Sequence, residues 1–216
     1  MSVEVLDDEK RRVIRLQHDL VLEHEFYLAG GTGLGLRLGH RLSRDVDWFT
    51  PRQFDAAALA RRLEALPEKP TDTRVQGPDT LRVYYGRLET SFLHYRQVAA
   101  HPELVDTAGL KIPLADLETL ALMKASAIQH RGAKRDFVDI HAICKAPGWS
   151  LERFIDLATT RLPLKPVQMK LALTYYGDAD RDVMPPGYTT PWDRVKTELQ
   201  RDVMQWERSR SRGLDR

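Results

Sequence analysis

Two aspartates one residue apart, Asp45 and Asp47, interrupt an apolar run that contains Val46, Trp48 and Phe49, about fifteen residues after the glycine doublet Gly30-Gly31. In an extended strand successive side chains point to opposite faces, so both acids project to one side while Val46 and Trp48 pack on the other. Carboxylates at that spacing repel unless a cation lies between them. A hard divalent ion, Mg²⁺ or Mn²⁺, meets that need because it takes oxygen ligands and keeps waters and phosphate oxygens in its shell. A solvated edge strand, or acids neutralised by Arg41 and Arg44, is the structural alternative. Ahead of the acids, Gly30-Gly31 permits positive φ and close backbone approach. Thr32 suits a helix N-cap, which would aim free N–H groups and a positive dipole end at an anion. An ordinary strand-to-helix turn is the plain alternative, and no Gly-Lys-Ser/Thr follows to make a lysine-bearing phosphate loop. Taken together, the glycines and the acids point to phosphoryl chemistry on a nucleoside triphosphate.

A second constellation lies further along. Leu117, Leu120, Ala121, Met123, Ala127 and Ile128 recur at helical spacing between Leu114 and about His130, which sets Lys124 on a partly buried helix. Gly132 ends that helix, and Asp136 to Ile143 forms another with Phe137, Ile140 and Ile143 inward. Lys124 could neutralise a nucleotide phosphate, and Asp136 could orient it or receive a proton from an attacking hydroxyl. An interhelical salt bridge among Lys124, Arg131, Arg135, Asp136 and Asp139 accounts for the same residues.

Gly-Gly-Thr, a short helix, then Ser43-Arg44-Asp45-Val46-Asp47-Trp48-Phe49 resembles the signature of the DNA polymerase beta-like nucleotidyltransferase superfamily. More closely, the chain is similar to the AbiEii/AbiGii-type toxin nucleotidyltransferases over roughly residues 10 to 145, since Leu114–Ile128 and Arg131–Ile140 look like that family's lysine-containing and Arg-Asp-x-x-Asp motifs. The resemblance implies an α/β (α+β) nucleotidyltransferase fold, a mixed sheet flanked by helices. It implies catalytic roles for Asp45, Asp47, Lys124 and Asp136, and a nucleotide site of Gly30, Gly31, Thr32, Ser43, Arg44, Lys124 and Arg131. Asp45 and Asp47 would hold the metal. The implied acceptor is tRNA, another RNA or a protein, restrained by an antitoxin protein; a small-molecule nucleotidyltransferase and a catalytically silent nucleotide-binding module are the rivals. Many superfamily members carry a third carboxylate on a later strand. Here the corresponding hairpin, Arg82 to Tyr95 around Gly86, offers only Glu89, with Ser91 or His94 where an acid is expected.

The elements that must position these residues follow from periodicity and breakers. Helices are expected over about 8–24, 55–66, 150–162, 167–176 and 192–208, the last packing through Val195, Leu199, Val203 and Trp206. Strands are expected near 26–29, 45–49, 73–76, 81–86, 88–95 and 109–112. The stretch Gly177 to Pro191 reads as a flexible connector or lid. We expect a catalytic domain over residues 1–146 and a helical region over 147–216.

With 42% hydrophobic residues among 216, the chain has ample core. It contains no apolar run of membrane-spanning length, and Met1 to Asp8 is acidic rather than basic and then apolar, so a cytoplasmic protein is expected. The single cysteine, Cys144, excludes an intrachain disulfide and a cysteine-rich zinc site. A net charge of +2 does not announce nucleic-acid binding, but basic residues flank the proposed site: Lys10, Arg11, Arg12 and Arg15, then Arg37, His40, Arg41 and Arg44, then Arg131, Lys134 and Arg135. Gathered on one face they would attract a polyanion; solvated helix surfaces explain each group singly.

Overall fold

A computed structural model describes residues 5–98, 100–107 and 109–214, with side chains described as far as residue 211. Met1 to Glu4, part of the acidic N-terminal stretch, lie outside the described residues. The Cα positions cluster into two compact units, Met1–Leu120 and Ala121–Arg216.

The first unit is built on a mixed seven-stranded sheet. Its strands are β1 (Tyr27–Leu28), β2 (Val46–Thr50), β3 (Asp72–Gly77), β4 (Thr80–Tyr85), β5 (Leu88–His94), β6 (Glu103–Thr107) and β7 (Leu110–Leu114), in the order β3-β4-β5-β2-β1-β7-β6. β2 runs parallel to β5 and β1 parallel to β7, while the other neighbours are antiparallel. β6 is an addition to the strands read from sequence. Its residues Glu103, Leu104 and Asp106 are exposed, so this edge strand lacks the alternation that marks its neighbours.

One face of the sheet is the core. Val46 and Trp48 of β2, Leu81 and Val83 of β4 and Phe92 of β5 meet Val13, Ile14, Leu20 and Val21 of α1 (Asp8–Glu23) and Leu59 and Leu63 of α3 (Ala56–Glu64). Both helices start where a carboxylate can cap them: Asp7 accepts from the Lys10 N–H at 2.8 Å, and Asp55 from the N–H groups of Ala57 and Ala58 at 2.9 and 3.0 Å. A buried hydrogen bond of 2.9 Å from Trp48 Nε1 to Gln17 Oε1 ties α1 to the back of β2. Thus the side of β2 that faces away from Asp47 is fixed by packing.

The second unit is helical. α4 (Leu117–His130) crosses the unit boundary in sequence and is followed by α5 (Lys134–Lys145), α6 (Leu151–Arg161), α7 (Pro166–Thr174) and α8 (Trp192–Leu214). Val195, Leu199, Val203 and Trp206 of α8 are all buried, as their spacing predicts. The stretch read as a lid is instead a fastened strap with a 3₁₀ turn at Ala179–Arg181. Asp182 accepts from the Lys134 N–H at the start of α5 at 2.9 Å, and Trp192 Nε1 donates to Asp180 at 2.6 Å. Its acids are consumed as helix caps and ring anchors, a use that composition alone does not reveal.

Candidate active site

The glycine doublet opens α2 (Gly30–Leu38) directly after β1, and its two members do different work. Gly30 has φ +61°, and a Cβ there would fall on the Asp47 carboxylate oxygen and 3.1 Å from Asp47 Cβ and Cγ. Asp47 therefore lies against the Gly30 backbone, where any larger residue would displace the acid. At Gly31 the requirement is room: a Cβ would stand 2.7 Å from Ser43 Oγ and 2.8 Å from Arg41 Nη2. Gly30, Gly31 and Thr32 form the first turn, whose N–H groups have no acceptor within the helix; the first intrahelical bond is Gly33 N–H to Ala29 O at 2.8 Å. This positive end faces Asp47 and Ser43.

Thr32 is not the N-cap. The helix begins two residues earlier, behind Ala29, and the buried Thr32 hydroxyl donates to the Asp45 carbonyl. The sequence reading placed the threonine at the cap on its N-cap preference; the room that Asp47 and Arg41 require puts both glycines inside the helix instead.

β2 alternates as expected. Val46, Trp48 and Thr50 are buried, whereas Asp47 and Phe49 on the other face, like Asp45 just before the strand, are of intermediate exposure. Asp47 pairs in register with Ser91 of β5, so the serine lies beside the acid where a third carboxylate was sought. Glu89, two residues before Ser91, shares that face, and its oxygens are engaged by Tyr84 Oη at 2.9 Å and Arg82 Nη1 at 3.5 Å. His94 points to the opposite face and pairs with Asp79 at 2.7 Å, a structural role. Among the described residues no three or more His, Cys, Asp or Glu side chains are grouped to hold a metal. The carboxylates that could serve as metal donors here are those of Asp45 and Asp47. Two carboxylates suit Mg²⁺, which characteristically takes one or two of them and completes its octahedron with phosphate oxygens and water.

The second constellation lies within the helical unit. Lys124 on α4 is buried, with Nζ 2.6 Å from Asp139 and 3.2 Å from Asp136, both on α5 and both fully buried. Arg131 grips Asp136 with two hydrogen bonds of 2.8 Å, Nε to Oδ2 and Nη2 to Oδ1. Burial pushes the Asp136 carboxyl up, but the Arg131 hydrogen bond and the charges of Lys124 and Arg131 outweigh it and hold the group below its ordinary 3.8. α5 starts at Lys134, two residues before the expected start, which places Asp136 in its first turn.

Two residues outside the site sets read from sequence lie in these constellations. Arg41, only 4% exposed, lays its guanidinium over Gly31 and donates to the Leu42 carbonyl at 2.8 Å. Asp139 is the nearest partner of Lys124; its i, i+3 spacing from Asp136, which sets both on one side of α5, was the available signal. Arg44 is exposed. Several basic residues read as a polyanion surface are occupied locally: Lys10 pairs with Asp7 at 2.7 Å, and Arg37 binds Glu103 at 2.7 Å and the Ala115 carbonyl at 3.0 Å.

Comparison with known proteins agrees with this fold. The model of the nucleotidyl transferase AbiEii toxin family, Type IV toxin–antitoxin system, matches residues 15–205. An uncharacterized protein of Aquifex aeolicus is 30% identical over 207 residues, covering 93% of this chain and 97% of that one. Among solved structures, the MenT4 nucleotidyltransferase toxin of Mycobacterium tuberculosis superposes with a TM-score of 0.55 at 17% identity, covering 91% of this chain and 82% of that one. An antigenic nucleotidyltransferase-like protein of Paracoccidioides brasiliensis gives 0.50 at 16% identity, with 76% and 93% covered. The shared feature is the α/β nucleotidyltransferase fold. Among the described residues no helix is long and apolar enough to cross a membrane. With the family model spanning most of its length, the chain belongs to the AbiEii toxin family and is a nucleotidyltransferase.

Proposed function

We propose that this enzyme transfers a nucleoside monophosphate from a nucleoside triphosphate to a hydroxyl of RNA, tRNA in the first instance, as the toxin of a toxin–antitoxin pair. The observation that carries the reading is the contact between Asp47 and Gly30, which joins a carboxylate pair to the first turn of a helix. The triphosphate tail lies over the N–H groups of Gly30, Gly31 and Thr32, with Ser43 and Arg44 beside it. Asp45 and Asp47 would hold Mg²⁺ or Mn²⁺, which supplies charge neutralisation on the phosphates. The acceptor oxygen bonds to the α-phosphorus, the bond to the bridging oxygen breaks, the electron pair departs with pyrophosphate, and the hydroxyl proton passes to solvent.

Asp136 is placed to fix Lys124 rather than to take a proton. A carboxylate clamped by Arg131 and Lys124 and held below its ordinary pKa is a weak base. Residues 1–146 form the catalytic region and 147–216 its helical support, in a cytoplasmic protein held in check by an antitoxin protein.

The test is incubation with each labelled triphosphate, Mg²⁺ and total cell extract, followed by separation of labelled RNA, protein and small molecules. Label in RNA with matching pyrophosphate release is the expected result; label confined to protein or to small molecules replaces the acceptor. A second reading, a nucleotide-binding module without transfer, is favoured by one observation, the engagement of Glu89 by Tyr84 and Arg82 in place of a third metal-facing acid. Nucleotide binding by calorimetry without any pyrophosphate release would establish it.

A further inference from the structure

In-line displacement requires the entering and leaving oxygens to stand on opposite sides of the α-phosphorus. The sheet order turns this rule into a direction. Gly30 and Gly31 follow β1, which flanks β2 on one side, and Asp47 contacts Gly30 there. The departing pyrophosphate therefore lies on the β1 side of the acids, and the acceptor comes from the β5–β4 side. Register shows what it meets: Asp47 is level with Ser91, and Ser91 with Arg82, so these three residues form one row on one face. In the next row Glu89 is level with Tyr84.

We infer that this β3–β5 face is the docking surface for the acceptor strand, with Arg82 binding a backbone phosphate and Tyr84 stacking a base near the end of a single-stranded RNA. The inference rests on the nucleotidyltransfer reading above and adds the location and chemistry of acceptor binding. Arg82 is the residue suited to the phosphate. Its Nε is buried without a hydrogen-bond partner, while its side chain as a whole is 41% exposed and meets Glu89 only at 3.5 Å. A phosphate oxygen can meet the exposed part of the guanidinium, and the cost of an unpaired buried N–H favours the small side-chain shift that lets Nε join the fork. Tyr84, of intermediate exposure, is backed by the Arg74 guanidinium, 4.8 Å from the ring centroid, and this cation-backed aromatic provides a sequence-tolerant stacking platform. The Tyr84 hydroxyl is occupied by Glu89, which fixes the ring while leaving the face away from Arg74 for stacking. Arg82 lies about two strand spacings from Asp47, roughly 10 Å, a separation that one to two nucleotides can bridge.

The experiment uses the full chain and a fluorescein-labelled single-stranded RNA of about twelve nucleotides, within the usual site size of such surfaces. Binding is measured across a salt series for the wild type, Arg82→Gln, Arg82→Lys, Tyr84→Leu and Tyr84→Phe, with thermal melts confirming that each variant is folded. Arg82→Gln is expected to weaken binding about tenfold and to lower the slope of log affinity against log salt by about 0.7, one phosphate's share for a single strand. Arg82→Lys keeps the salt slope and loses part of the affinity, because the charge survives and the fork does not. Tyr84→Leu weakens binding about tenfold without changing the slope, and Tyr84→Phe binds as the wild type. In transfer assays Arg82→Gln raises the acceptor KM and leaves the triphosphate KM alone. Affinity and slope unchanged in folded Arg82→Gln would overturn the inference, as would preferential binding of an acidic or basic peptide on this face. If the wild type binds RNA in the way described and yet releases no pyrophosphate, the transfer reading fails while the surface stands.

Discussion

The two constellations hold their carboxylates in opposite ways. In the first unit Asp47 rests against a glycine backbone at the start of a helix, at intermediate exposure, on a strand secured from behind by Trp48 and Gln17. In the second unit Asp136 and Asp139 are fully buried and bound to Lys124, with Arg131 also on Asp136. One arrangement sets a half-exposed acid against the first residue of a helix. The other closes its charges on each other, so that removing any member leaves a buried charge behind. Replacing an acid of the first kind is therefore expected to cost the fold little, and replacing one of the second kind to cost it more.

That contrast is open to attack at several points. The largest effect is expected for Asp45→Ala combined with Asp47→Ala, which should lower pyrophosphate release by at least about a thousandfold while the melting temperature holds. Activity within tenfold of the wild type would remove the pair from the mechanism. Next comes Lys124→Met, which takes the ammonium from between the buried Asp136 and Asp139 and leaves Asp136 to Arg131, and which should destabilise the protein by about 3 kcal/mol. That corresponds to roughly 6–12 °C by calorimetry, accompanied by loss of transfer. A melting curve superimposable on the wild type would show that the network is not closed in the way described. Gly30→Ala combines a positive φ with a Cβ in the place of the Asp47 carboxylate, so we expect a loss of about 1–2 kcal/mol and a ten- to hundredfold drop in kcat. Gly31→Ala meets only the movable ends of Ser43 and Arg41 and should act mainly on the triphosphate KM, by less.

The smallest expected effect is on pH dependence. Because the folded pKa of Asp136 lies below its ordinary 3.8, its stabilisation is fully present above that value and is lost as pH falls through the folded pKa. Acid unfolding of Asp136→Asn should therefore be less steep in that range than that of the wild type. An identical acid limb would contradict the depressed value.

Legibility in the sequence followed how local each signal is. The alternation of β2 was readable because Val46, Trp48 and Thr50 are buried on one side and Asp47 and Phe49 are not, so the pattern is carried by adjacent residues. The glycine turn was readable for the same reason. The second constellation was legible in its helix and its residues, but its two open roles needed distances, and those distances favour the clamp. What escaped depended on contacts far apart in the chain. Arg41 belongs with Gly31 only once the connector has folded back, and Asp182 caps α5 from 48 residues away. β6 was invisible because an exposed edge strand carries little apolar alternation.

The bond from the Thr32 hydroxyl to the Asp45 carbonyl has a further consequence for how this region tolerates change. It pins the chain just ahead of the acids, and the turn after α2 is pinned separately by Gly39 N–H to Gly35 O at 2.7 Å. Extra length inserted around His40 would bulge outward between two fixed posts and leave the reacting groups in register. Replacing Thr32 by valine would remove one post and make the spacing of the centre sensitive to every later insertion.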